Sequence, residues 1–474
     1  MPFLGTTGGG SVKQYGGQAN LGYFIKNSLR FRSSASGYLN RTPASATNRK
    51  TWTWSAWVKR GSLGSNQHLF MGRNNGSNYD MIRWNSDDTI YFFGQNGGVD
   101  SYRRQTTAVY RDPSAWYHIV AVLDTTQATA SNRTKLFVNG SQVTSFSSSV
   151  DCSLNFDSYV NNTNIHFLGG NNLDSVYSDG YLTEINFIDG QALTPSSFGK
   201  TDNGTGQWVP KKFAGTYGTN GFYLKFADAS AATAAAIGKD SSGNGNNWTP
   251  NNISVTSGVT YDAMIDSPTR SAAASNYCTW NPLAKGSNLV TTSGNLSVNN
   301  GGVEASHRAI VGTMGMTTGK WYWEAVVNNS SNVDIIGVIP SSISTFNNYV
   351  GGLGDSAGWG YNTSTGNYYV GGNWASSGTA PAFTSSATIM IAYDADAKKM
   401  WVGQNGTWNT AAGGVGNPSS GTNALFTYSG SETTFLPAVS IYNNTGAWVA
   451  NFGQRPFSYT PPSGFKSLNT FNLP

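Results

Sequence analysis

Helical periodicity is almost absent from this 474-residue chain, and short alternating stretches divided by polar turns take its place. In Trp52-Thr53-Trp54-Ser55-Ala56-Trp57-Val58, alternation puts Trp52, Trp54, Ala56 and Val58 on one face of a strand. Residues 135–143 read as a hairpin, with Asn139-Gly140 supplying the positive φ angles of a tight turn. Only 192–198 and 229–237 are patterned for a short helical turn. A chain patterned in this way must satisfy its backbone by pairing strands, and its length exceeds what one hydrophobic core supports. The expectation is an all-β protein of more than one domain.

Charged residues make up only 11% of the chain, so solubility rests on neutral Asn, Ser, Thr and backbone groups. Aromatics at 13%, with 15 tryptophans, supply enough apolar surface to exclude a disordered composition. Such a mixture suits β domains facing an extracellular medium. The net charge of +5 hides an asymmetry: residues 1–79 hold ten Lys or Arg and no acid, and the first acid is Asp80. One reading is an N-terminal arm docking on a negative surface such as an acidic partner protein. The other is a solvated surface of accidental sign, favoured because many of these charges fall inside the first expected sandwich. Cys152 and Cys278 fall in different expected domains, so no disulfide and no Cys-x-x-Cys metal site is expected. Met1-Pro2-Phe3-Leu4-Gly5 lacks the charged and apolar regions of a signal peptide, and no apolar run approaches the roughly 18 residues of a membrane span. Assembly into a virus particle released by lysis is one exit for an extracellular binder made without such a signal.

Several fragments in order resemble the laminin-G-like, concanavalin-type lectin/glucanase family. They are Ser28-Leu29-Arg30-Phe31, Trp54-Ser55-Ala56-Trp57-Val58-Lys59, and Trp116-Tyr117-His118-Ile119-Val120-Ala121-Val122. Leu136-Phe137-Val138-Asn139-Gly140, Phe167-Leu168-Gly169-Gly170 and the run from Gly180 to Phe187 complete the set. The resemblance implies a jelly-roll sandwich over 29–200, preceded by an arm at 1–28 that is a possible virion anchor.

Residues 201–275 read as a connector with an added hairpin. They include the alternating Phe222-Tyr223-Leu224-Lys225-Phe226, and Asp240 to Trp248 resembles the opening motif of laminin-G-like domains. From 276 to 474 the chain resembles the SPRY family, through Gly319-Lys320-Trp321-Tyr322-Trp323-Glu324, Ile336-Gly337-Val338 and Gly358-Trp359-Gly360-Tyr361. Ile391-Ala392-Tyr393-Asp394, Trp401 to Trp408, Phe435 to Ser440 and Asn451-Phe452-Gly453-Gln454 follow in that family's order. The tail from Pro461 to Pro474, and the pairing of these two sandwiches, are similar to marine, cyanophage-like bacteriophage virion proteins. The expected architecture is therefore two tandem β-sandwiches, concanavalin-like and then SPRY-like.

Chemistry is hard to find in this sequence. Glycoside hydrolysis needs two carboxyl groups about 5–10 Å apart. The four glutamates, Glu184, Glu304, Glu324 and Glu432, have no carboxylate two residues away. Asp394 and Asp396 have that spacing but read as a strand end entering a turn. His118 reads as structural, and His68, His166 and His307 stand near no nucleophile motif. No catalytic residue and no enzyme activity are expected. Ca²⁺ sites at Asn171, Asn172 and Asp174, or at Asp240, Asn244 and Asn246, compete with simple Asx turns, so no metal or other cofactor is assigned. Basic residues are scattered and no reader motif is present, so nucleic acid is not an expected partner.

Binding of a sugar needs exposed aromatic rings for its C–H faces. Trp84, Tyr368, Tyr369, Trp374 and Trp408, in Gly- and Asn-rich stretches, are the surface candidates. The SPRY resemblance implies binding through loops at one end of the sandwich, which points to Tyr349 and again to Trp374. The expected function is a non-enzymatic phage virion surface protein, a tail fibre or fibre-like appendage, binding host surface glycans or envelope protein. The arm would bind other virion proteins, and by resemblance to phage fibres the chain would form a homo-oligomer, with a trimer favoured. The alternative is a decoration or connector protein that binds only other virion components.

Overall fold

A computed structural model describes residues 23–301, 306–327, 334–352, 358–362, 368–370, 373–375, 382–408, 410–411, 414–442 and 447–474. The chain forms two compact units that part between Ser275 and Asn276. Both are all-β: the named elements are strands, with three-residue 3-10 turns at Ser33–Ala35, Ala130–Asn132 and Pro195–Ser197. The last of these lies in one of the two stretches patterned for a helical turn. The other, 229–237, contains turns and no helix. Most of the expected arm, 1–22, lies outside the described residues.

The first unit is a sandwich of two eight-stranded sheets. One sheet runs Ser141–Gln142, Thr134–Val138, Trp116–Asp124, Thr51–Arg60, Gly180–Asp189, Ser28–Phe31 and Ala263–Met264, with Phe222–Leu224 added alongside Gly180–Asp189. The other runs Phe146–Val150, Val99–Thr106, Ile90–Asn96, Asn78–Trp84, Gln67–Asn75, Ile165–Leu168, Tyr38–Arg41 and Thr249–Asn251. Trp52, Trp54, Ala56 and Val58 all enter the core between the sheets, as their alternation requires. Trp54 lies nearly parallel to Phe70 of the opposite sheet, with ring centroids 6.1 Å apart. At the hairpin turn Asn139 and Gly140 adopt φ of 49° and 83°. A Cβ on Gly140 would stand 2.4 Å from the Trp208 ring, so glycine is required there by packing as well as by φ.

Residues 201–275, read from sequence as a connector, are built into this sandwich. Phe222–Leu224 and Ala263–Met264 join one sheet and Thr249–Asn251 joins the other. A small hairpin pairs Gly199–Thr201 with Trp208–Pro210, ahead of the stretches 222–226 and 240–248 from which the added hairpin is read. The stretch is held because it supplies what the first two hundred residues lack. Trp248, fully buried, packs edge-on against Phe222 at 4.9 Å. Asp262 accepts from Arg30 Nε at 3.0 Å and Arg32 Nε at 2.8 Å, and Asp266 meets Lys59 Nζ at 2.8 Å. The acid-free N-terminal stretch thus finds much of its counter-charge inside its own unit: Arg60 pairs with Asp88, and Arg73 with Asp174.

The second unit pairs a seven-stranded with a nine-stranded sheet. The seven-stranded sheet centres on Arg308–Gly312, Phe435–Ile441 and Ile335–Pro340, the other on Ala447–Asn451, Lys320–Val327 and Thr388–Asp394. The C-terminal tail covers part of the nine-stranded sheet. Lys466–Ser467 runs parallel to Lys320–Val327, and Phe465, Phe457 and Tyr459 pack on Tyr322, Met390 and Trp401. Glu324, 2% exposed, holds the tail through both oxygens. It accepts the Ser458 and Tyr459 amides at 2.8 Å each, and the Tyr322 hydroxyl at 2.9 Å.

Candidate functional site

The strands Asn78–Trp84 and Ile90–Asn96 are apolar on both faces. Ile82, Trp84, Ile90 and Phe92 enter the inter-sheet core. The alternate residues Met81 and Phe93 project from the other face, where they join Met71, Phe167 and Tyr38 in a second apolar cluster. Tyr79, Tyr91, Ile165 and Tyr177 pack around it and stay half-buried. The result is an aromatic platform on the outer face of a β-sheet. Tyr91 stacks on Phe93 with centroids 4.2 Å apart, and Tyr79 meets Phe93 edge-on at 5.6 Å. At the other end Tyr38 lies 6.1 Å from Tyr177, which comes from the small hairpin Gly170–Asn171 with Val176–Tyr177.

Three arginines share this face. In register, Arg83 stands opposite His68 on one side and Tyr91 on the other, Arg73 opposite Tyr79, and Arg103 opposite Phe93. Arg73 is paired with Asp174 and Arg103 with Asp100. Arg83 makes no ion pair among the described residues. Its guanidinium lies 4.9 Å from the Tyr91 centroid and 5.3 Å from that of Phe93, and its Nη2 donates to Asn85 Oδ1 at 2.9 Å. His68 is 3% exposed. Burial first, and the Arg83 charge second, push its imidazole down to about 3, so it is neutral at pH 7. Nδ1 of His68, Nε of Arg73 and Nε of Arg83 are buried without a hydrogen-bond partner among the described residues.

The sequence-selected aromatics are not gathered into one site. Trp84 is 1% exposed and is corrected to a core residue: it sits in phase with Ile82, and Arg60 covers its ring at 4.8 Å. Tyr349 is half-buried and meets His307 edge-on at 5.3 Å. Tyr368 is half-buried with its ring 5.1 Å from Phe426. Trp408 packs against the cluster under the C-terminal tail. Tyr369 and Trp374 lie opposite each other in the hairpin Tyr368–Val370 with Asn373–Ala375, and their side chains lie outside the described residues.

Most carboxylates weighed for catalysis or metal binding are engaged internally. Glu184, at φ 50° in a bulge of its strand, accepts the Tyr23 and Tyr223 hydroxyls at 2.5 Å each, and burial raises its pKa. Asp394 ends its strand, accepts the Ala397 amide at 2.9 Å and lies 3.3 Å from Lys320. Asp174 is taken by Arg73 and by Asn171, whose Nδ2 donates to it at 2.8 Å. Asp240 accepts the amides of Tyr223, Ser242 and Asn246, in the manner of an Asx turn. No group of three or more His, Cys, Asp or Glu suited to a metal ion occurs among the described residues. His118 is buried between Trp57 and Trp208. Because Trp208 Nε1 can only donate to its Nδ1, Nε2 carries the proton and donates to Ser55 Oγ at 2.9 Å.

Residues 33–198, which include the whole platform, match the family model Laminin_G_3, described as the concanavalin A-like lectin/glucanases superfamily. The first sandwich is concanavalin-like. The structure is also similar to the human HERC1 SPRY domain, at 17% identity over 38% of this chain and 99% of that one, with a TM-score of 0.30. A putative carbohydrate binding protein from Bacteroides ovatus aligns at 15% identity over 48% of this chain and 59% of that chain, with a TM-score of 0.33. A SAP-like pentraxin from Limulus polyphemus aligns at 14% identity over 36% and 80%, with a TM-score of 0.26. No curated protein matches the sequence.

Proposed function

We propose that the chain is a non-catalytic glycan-binding protein whose first sandwich binds saccharide on the outer face of its Gln67–Asn75 sheet. One observation carries this reading: half-buried Tyr79, Tyr91 and Tyr177 rim an apolar cluster on the outer face of a sheet, in a sandwich matched over residues 33–198 to a lectin/glucanase superfamily. Sugar C–H faces stack on such rings, while the amide oxygens of Gln95 and Gln105, whose Nε2 groups donate to Asp100 and Asp87, would accept from hydroxyls. Glu184, the one glutamate in this sandwich, is enclosed by two tyrosines, which favours binding over hydrolysis.

The biological setting is a phage tail fibre or fibre-like appendage that recognises host surface glycans. It rests on the resemblance of the paired sandwiches and of the C-terminal tail to marine phage virion proteins. A homotrimer would raise a weak single-site affinity through effective concentration. Binding of the purified full-length protein to immobilised bacterial surface polysaccharides, with Tyr91→Ala alongside, tests the reading. Saturable binding that Y91A weakens roughly tenfold is expected. Release of reducing sugar overturns the non-catalytic assignment. Binding to virions but to no polysaccharide or cell favours the decoration role.

A further inference from the structure

We propose that the ligand of this face is an acidic saccharide, a uronate or sulfated sugar, with Arg83 as the receptor for its anionic group. The proposal rests on the glycan-binding reading and adds the charge of the ligand. Three arginines face outward here, and two are neutralised within the fold, Arg73 by Asp174 and Arg103 by Asp100. Among the described residues Arg83 makes one hydrogen bond, to an uncharged amide oxygen, and it is half-buried.

Its position fits anion recognition. The guanidinium is held against Tyr91 and Phe93, and a flat guanidinium on an aromatic surface keeps its N–H edge in the plane, where a carboxylate or sulfate takes two parallel bonds. The rest of the face is short of hydrogen-bond partners as well. His68, directly opposite Arg83, and Arg73 two positions further along that sheet row both bury ring or guanidinium nitrogens that have no partner, as does Arg83 itself. A neutral sugar offers hydroxyls that donate as well as accept. An acidic group offers only acceptors, which match the N–H groups of a guanidinium that makes no ion pair among the described residues. Tyr91, in contact with Arg83, would hold the sugar ring that carries the charge.

The test measures binding of the full-length protein to polygalacturonate, dextran sulfate and neutral dextran by titration calorimetry at low and moderate salt. Salt-sensitive binding to one or both acidic polymers, weakened roughly tenfold by Arg83→Gln, is expected. Arg83→Lys keeps the charge without the planar fork and should fall between the two, which separates loss of recognition from loss of fold. Response to polygalacturonate alone assigns a carboxylate, and response to dextran sulfate alone a sulfate. Lys200→Gln, at an exposed cation away from this face, should change nothing; an equal loss there would mean diffuse attraction and overturn Arg83 as the receptor. If dextran binds as well as the acidic polymers and R83Q leaves binding intact, the acidic assignment fails while glycan binding stands. If no polysaccharide of any charge binds, the functional reading fails with it.

Discussion

The ammonium of Lys59 and the carboxylate of Asp266 meet at 2.8 Å with neither side chain exposed to solvent, and Trp116 Nε1 donates to the same carboxylate at 3.1 Å. Removing one member of such a pair leaves a buried charge without compensation. Asp266→Ala is expected to destabilise the first sandwich by about 3–5 kcal/mol, measured by urea denaturation. Lys59→Met combined with Asp266→Leu should recover much of that loss.

Three histidines of the first sandwich are buried and neutral. Burial pushes His68 and His118 down to about 3, and His166 to about 4, from an ordinary value of 6.5. A lowered folded-state value means the unfolded chain binds the proton first. The contribution is therefore complete above pH 6.5 and is lost as pH falls toward 3–4, at about 1.4 kcal/mol per pH unit for each histidine. Acid titration of stability should show this slope below pH 6, and His166→Gln should reduce it by one histidine's share.

Asp334 of the second unit runs the other way. Burial raises it from 3.8 to about 6, against the Tyr442 amide and the Trp448 indole that hold its charged form. Its contribution is complete below pH 3.8 and is lost as pH rises through about 6. Asp334→Asn should therefore be less harmful at pH 7 than at pH 4. His307, pushed down to about 4 by burial, has the opposite sign, so the comparison must be made between variant and parent at each pH.

Glu324 ties the C-terminal tail to its sheet through two backbone amides. Glu324→Ala leaves both donors without an acceptor and is expected to cost about 2–4 kcal/mol, with protease cleavage appearing after Phe457 before the sandwich unfolds.

The core strands were legible because Trp52 to Val58 alternate strictly, with one phase carrying the large apolar side chains. The binding face was not, because Tyr79-Met81-Arg83 and Asp80-Ile82-Trp84 interleave on one strand and both phases are apolar enough to be core. Alternation alone does not say which phase meets the second sheet. A strand apolar in both phases and carrying tyrosine and arginine in one of them was the signal available. Trp84 was misplaced for a related reason: Asn85 and Ser86 after it suggested a loop, whereas it ends the strand in phase with Ile82. The charge asymmetry was visible, but its resolution was not, since Asp262 and Asp266 carry no local mark of the arginines and lysine they meet.

That long-range pairing sets the smallest portable piece of the chain. Lys59 and Asp266 are 207 positions apart, so a fragment ending with the family match at residue 198 would carry a buried cation stripped of its counter-ion and a sheet short of its last strands. A translating ribosome faces the same arithmetic: the front half of the sandwich emerges long before the acids that neutralise it, and its closure must wait for them.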